Sequence, residues 1–184
     1  MVRIYTINST SLIRGVLMTR SEILKHYIDF CGKTLIADER PQRFLEKQGI
    51  NYQTVNVGFG IGFSDGKLFE RIEGNSRMLE ALEEAGIISN GKDVFAGSIT
   101  FPIFDENKEP INIVGYSINM RKSERMVWLS PDGVFNAAFL ANWKHMILTD
   151  NPLHALLLMQ AEMNHVTFSY ADESKYLQFC FRPQ

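Results

Sequence analysis

Residues 93–119 read DVFAGSITFPIFDENKEPINIVGYSIN, and the pattern of this stretch decides the fold class. Ile99, Phe101 and Ile103 alternate with Ser98, Thr100 and Pro102, the period of two expected of a strand with one buried face. Asp105-Glu106-Asn107-Lys108-Glu109 forms a polar turn, and Ile111, Ile113 and Val114 start a return strand that runs to Ile118. The expectation is a β-hairpin within a half-buried sheet.

Upstream of the hairpin the apolar spacing changes to a helical one. Ser21 is a candidate N-cap for a helix through Ile23, Leu24, Tyr27, Ile28 and Cys31, with Gly32 as its stop. A second helix carries Pro41 in its first turn, turns Phe44 and Leu45 inward and ends at Gly49. Asn51 caps a short helix that ends near Gly58. The stretch GFGIGFSDG follows, with four glycines in nine residues. No Lys-Ser/Thr pair follows these glycines, so a tight packed turn fits better than a phosphate loop. Met78, Leu79, Leu82 and Ala85 give a further helix its inner face, with Gly86 as the stop. At the N-terminus, Val2–Ile7 alternates like a strand.

Downstream, Met146–Thr149 reads as a short buried strand and Asp150-Asn151-Pro152 as a helix start. Leu153, Leu156, Leu157 and Met163 give that helix an apolar stripe. His165–Tyr170 and Tyr176–Phe181 read as strands, with a turn at 171–174. Strand, helix, strand is a βαβ-like unit. The predicted class is α+β: a helical N-terminal lobe with a mixed or antiparallel sheet over residues 1–135, then a small βαβ unit over 136–184.

Composition narrows the function classes. The chain has 184 residues, 45% of them hydrophobic and 22% charged, as in ordinary globular proteins. A formal net charge of −2 means that nucleic-acid binding has to rest on a local basic patch. The two cysteines, Cys31 and Cys180, lie in apolar surroundings without a C-x-x-C or Cys/His cluster, so they read as buried thiols of a reducing compartment. No leader pattern or run of about 20 apolar residues is present, and a cytoplasmic protein without a membrane partner is expected. Arg121, Lys122 and Arg125 form the one cluster of three basic residues, with Trp128 just beyond and Lys144 further on. Cations beside an indole suit phosphate contact and base stacking; a solvated hairpin tip has the same composition.

Six short motifs stand in order: Phe44-Leu45-Glu46-Lys47-Gln48-Gly49-Ile50, Phe59-Gly60-Ile61-Gly62-Phe63, Ala85-Gly86-Ile87, Thr100-Phe101-Pro102-Ile103, Ile113-Val114-Gly115-Tyr116 and Leu129-Ser130-Pro131. Together they resemble the catalytic core of bacterial DnaG-type primases, from about Glu22 to Pro131. The resemblance implies that the βαβ unit is a degenerate or truncated Toprim domain. In that family one strand ends in E-G-x-x-D and another carries D-x-D, and these acids hold the divalent metals of nucleotidyl transfer. Here Asp150 falls at the Glu, Asn151 at the Gly and His154 at the second acid, while Asp172-Glu173 is the acidic pair nearest to a D-x-D. The implied catalytic residues are Asp150, Asp172 and Glu173, with Asp150 as metal ligand and Mg or Mn as cofactor if the chain is active, in a degraded centre. The family's template-guiding cations have drifted too, to Gln48, to the segment 94–98, to Asn119 and to Met126.

Three readings follow from these residues. One is a primase-like protein of chromosomal or mobile-element replication that binds single-stranded DNA through Arg121, Lys122, Arg125, Trp128 and Lys144. The second is an active primer-synthesising nucleotidyltransferase. The third is a non-catalytic module for a helicase or other replication protein, with the apolar strands Val166–Phe168 and Leu177–Phe181 as a partner-binding sheet edge.

Overall fold

The computed structural model of the chain describes residues 18–72, 74–119, 125–131, 133–140 and 145–168. The first helix, α1 (Arg20–Ala37), starts from Thr19 rather than Ser21. Thr19 Oγ1 accepts from the Glu22 N–H at 3.2 Å, and Glu22 Oε2 accepts from the Thr19 N–H at 2.7 Å, a reciprocal capping box. Thr19→Ala is expected to cost about 1 kcal/mol, read as a lower denaturant midpoint at unchanged slope.

The expected stop at Gly32 is not one: α1 runs through it to Ala37. Gly32 serves close packing instead, because Asn56 Nδ2 donates to its carbonyl at 3.3 Å and a Cβ there would lie 3.2 Å from that nitrogen. Tertiary contact overrides the weak helix propensity of glycine here. Asp38 ends α1 with an extended backbone, and its side chain accepts from the Arg40 N–H to start α2 (Glu39–Lys47). Asn51 caps α3 (Tyr52–Phe59), which stops at Gly60 in the left-handed region, two residues beyond the expected end. The rest of the glycine-rich stretch is strand β1 (Gly62–Ser64), not only a turn.

Two short helices, α4 (Leu68–Arg71) and α5 (Ser76–Glu84), lead to a small hairpin of β2 (Ile88–Ser89) and β3 (Lys92–Asp93). Its turn, Asn90-Gly91, has positive φ at both residues, the geometry of a two-residue type I′ connection. The predicted hairpin is β4 (Ser98–Phe104) with β5 (Pro110–Ser117), antiparallel from Ser98↔Ser117 to Phe104↔Pro110. Asp105 Oδ1 organises the turn by accepting from the Asn107 and Glu109 N–H groups, both at 2.8 Å. Glu109 is tied to the first turns of α1 by Lys25 and Ser21. β6 (Met126–Trp128) pairs with β5 and completes a four-stranded antiparallel sheet of order β1-β4-β5-β6.

The sheet is not half-buried. Ile99, Phe101 and Ile103 of β4 enter one core with Val114 and Tyr116 of β5, yet Ser98 and Thr100 on the other face are only 2% and 3% exposed. Helix α1 packs across β1, β4 and β5 on that second face, with Ile23, Leu24, Tyr27 and Cys31 in a second core beside Phe95 and Ile113. Cys31 is a buried free thiol; Cys180 and the strands expected at 2–7 and 176–181 lie outside the described residues.

After α6 (Ala137–Leu140), strands β7 (Ile147–Thr149) and β8 (Val166–Phe168) run parallel, joined through α7 (Pro152–Gln160). The βαβ unit is therefore present. Its Leu153, Leu156, Met159, Val166 and Phe168 share the first core with the hairpin, so one continuous core crosses the boundary expected at residue 135. Val166 and Phe168 are fully buried, and Asn136 Nδ2 donates to the carbonyls of Asn164 and Val166. Strand β8 has its apolar side chains inside the core, and the second strand of the expected partner-binding edge, 177–181, lies outside the described residues.

Candidate nucleic-acid interface

Arg125 is placed by strand pairing. Its carbonyl accepts from the Ser117 N–H at 2.7 Å, where β6 begins to follow β5. The half-buried side chain folds over Tyr116: Nη1 donates to Tyr116 Oη at 3.0 Å, and the guanidinium carbon stands 5.6 Å from the ring centroid. Tyr116 is only 5% exposed and packs against Phe44 of α2, with centroids 6.4 Å apart. A guanidinium fixed by a phenol hydroxyl and an aromatic face loses little rotamer freedom on meeting a phosphate, which suits it to anion recognition. Spacing in the sequence could not reveal Tyr116 and Phe44 as its supports, because they come from a neighbouring strand and a remote helix. The one local signal was Tyr116 falling on the same strand face as Val114.

Trp128 is half-buried and sets its ring edge-on to Phe168, centroids 6.1 Å apart. It joins the sheet to the βαβ unit, so the face turned to Phe168 is taken up by packing. Arg121, Lys122 and Lys144, the other cations of the expected patch, lie outside the described residues.

Asp150 is exposed at the C-terminal end of β7, directly before Asn151. Asn151 Oδ1 accepts from the Leu153 N–H at 3.0 Å and caps α7; Thr149 Oγ1 donates to the Asn151 carbonyl at 2.9 Å. The carboxyl ends of parallel strands are where open α/β sheets place ligands, so Asp150 has a suitable position. His154, also exposed, is in the first turn of α7. Asp172 and Glu173 lie outside the described residues. Among the described residues no three His, Cys, Asp or Glu side chains come together as a metal-binding group. Magnesium and manganese take mostly oxygen ligands in near-octahedral array. Among the described residues, Asp150 and His154 do not by themselves make up such a centre.

An apolar cleft of about 300 Å³ lies at the other end of the hairpin, lined by Phe59, Pro102, Phe104, Phe135 and Met159, with Asp105 and Lys108 at the turn. It is separated from Arg125 by the length of β4, about 20 Å at the usual strand rise. Among the described residues no helix is long and apolar enough to cross a membrane.

No protein-family model matches the chain, and no curated protein matches its sequence. Solved structures do match its fold. A DNA primase domain from Pseudomonas aeruginosa superposes with a TM-score of 0.70 at 16% identity, over 84% of this chain and 55% of the other. A DnaG primase catalytic domain bound to single-stranded DNA gives 0.67 at 18% identity, over 83% and 53%. The RNA polymerase domain of Mycobacterium tuberculosis DnaG, in complex with double-stranded DNA, gives 0.68 at 14% identity, over 88% and 60%. The chain thus spans little more than half the length of these primase chains. At this identity the likeness is one of fold: the chain has a DnaG-type primase-like fold.

Proposed function

We propose that this chain is a primase-like protein of chromosomal or mobile-element DNA replication that binds single-stranded nucleic acid, with an impaired nucleotidyl-transfer centre. The observation that carries the reading is Arg125, held on Tyr116 at the edge of a sheet with the primase-core fold. Arg121, Lys122 and Lys144 are the other cations assigned to DNA contact, and Trp128 braces the strand that presents Arg125. The βαβ unit is the remnant of a Toprim domain, Asp150 its surviving acid. The protein acts in the cytoplasm, beside a helicase or another replication protein.

The test is anisotropy of a labelled single-stranded oligonucleotide. Arg125→Ala is expected to weaken binding severalfold and to reduce the slope of log affinity against log salt by about 0.7, the value of one phosphate contact on a single strand. Equal affinity and slope for the variant would remove Arg125 from the interface.

An active primase is the second reading, favoured by the position of Asp150 at the carboxyl end of β7. Template, ribonucleotides and Mg²⁺ or Mn²⁺ would then yield short oligonucleotides, and Asp150→Ala would abolish them. Product formation that survives Asp150→Ala would exclude this residue as the metal ligand.

A further inference from the structure

Asp93 is 5% exposed and sits between three elements. Tyr27 Oη, from α1, donates to its two carboxyl oxygens at 2.8 and 2.9 Å. Ser64 Oγ, from β1, donates to Oδ2 at 2.6 Å, and the Phe95 N–H donates to Oδ1 at 2.8 Å. Every one of these donors is neutral. Most buried carboxylates are matched by a cation, because removing the charge from water costs several kcal/mol.

Among the described residues, the charged groups around the cage do not supply that cation. Helix α1 contributes Tyr27 and Cys31, both kept protonated by burial. Asp65, just past β1, adds a like charge. Arg71 of α4, the helix packed on β3, is committed to Asp65 at 2.6 Å, Glu70 of α4 is exposed, and so is Lys92 beside Asp93. Strand β2, the partner of β3, carries no titratable residue.

We propose that Tyr27, Asp93 and Ser64 form a proton-operated clamp, which holds the segment 88–97 against α1 and β1 more tightly when Asp93 carries a proton. The proton comes from solvent and binds one carboxyl oxygen. The hydroxyls of Tyr27 and Ser64 can accept as well as donate, so the cage has a partner for the proton of the neutral carboxyl. Two further contacts make this segment a junction. The Gly97 N–H donates to the Ser64 carbonyl at 2.8 Å, and the Gly97 carbonyl accepts from the Ile118 N–H at 3.1 Å. The Phe95 ring lies where a Cβ on Gly115 would be 2.6 Å away. Loosening the clamp therefore acts on the start of β4 and the end of β5.

Desolvation is the largest influence on Asp93 and outweighs its hydrogen bonds, which raises its pKa above the ordinary aspartate value. The folded protein then keeps the proton to a higher pH than the unfolded chain. The clamp's contribution is complete below the unfolded value of about 3.9 and is lost as pH rises through the folded one.

The experiment is a ¹³C NMR titration of the Asp93 carboxyl in the whole chain, with denaturant unfolding of the wild type and Asp93→Asn across the same pH range. The carboxyl is expected to titrate above the ordinary range. The ratio of folding constants, wild type over variant, should fall with rising pH by about tenfold for each unit of elevation. Faster exchange of the Phe95 and Gly97 amides should accompany the loss of the proton. If Asp93→Asn does not fold, Tyr27→Phe replaces it and should move the midpoint further up. A carboxyl that titrates at or below the ordinary value, or a ratio that does not change with pH, overturns the proposal.

Discussion

Replacing Phe101 by alanine is expected to destabilise the protein by about 3–5 kcal/mol, the range for emptying a buried aromatic site. The side chain is fully buried in β4, with its ring 5.9 Å from Phe135 and 5.4 Å from Phe168, both nearly edge-on. Phe135 and Phe168 are themselves 4.8 Å apart, so the three rings form one contact between the antiparallel sheet and the βαβ unit. Small domains have a total stability of about 5–15 kcal/mol, of which this loss is a large share. It should affect both halves together. Far-ultraviolet circular dichroism and tryptophan fluorescence are expected to report one coincident unfolding transition, in the wild type and, at lower denaturant, in Phe101→Ala. Two separate transitions, only one of them moved, would show that the halves do not share a cooperative core.

The second large effect is expected at Gly62, where substitution adds atoms instead of removing them. A Cβ at this position would stand 2.6 Å from the Cys31 carbonyl carbon, 2.6 Å from Cys31 Cβ and 2.8 Å from the Gly32 nitrogen. Helix α1 approaches β1 so closely because Gly62 carries no side chain. Gly62→Ala forces the backbone of α1 away from the sheet, at a cost of about 1–3 kcal/mol or more. Cys31→Ala should not rescue it, since the clash involves backbone atoms and a Cβ that alanine retains. The check is the denaturant midpoint of the single and double variants; restoration by Cys31→Ala would mean that the sulfur, rather than the helix backbone, limits the approach.

The parts of the fold that could be read from residues were those written in local chemistry. The alternation at 99–103, the acidic turn and the Asn151-Pro152 helix start each reappear where their spacing placed them. Asn90-Gly91 is an equally local signal for the β2–β3 turn, but flanking strands of only two residues show no alternation to support it. Gly32 misled for a different reason: its value lies in the contact with Asn56, which overrides local helix preference. The half-buried reading of β4 failed because Ser98 and Thr100 are polar yet lie under α1. Long-range pairing is also what hid the sites. Arg125 could be named from its basic neighbours, but not Tyr116 and Phe44 beneath it. Tyr27, Ser64 and Asp93 come from three separate elements, so nothing in their spacing marks the cage. The order of six motifs conveyed more than any periodicity, since it implied the primase-like fold that the solved structures match.

Binding to single-stranded DNA, followed from low to physiological salt on the whole chain, tests the central claim most directly. With a net charge of −2 there is little long-range attraction, so affinity has to come from the local patch around Arg125 and fall steeply as salt rises. A linear fall in log affinity with log salt, with a slope worth several phosphate contacts, is the predicted result. No binding at the lowest salt would contradict the account and leave a primase-like fold without its nucleic acid.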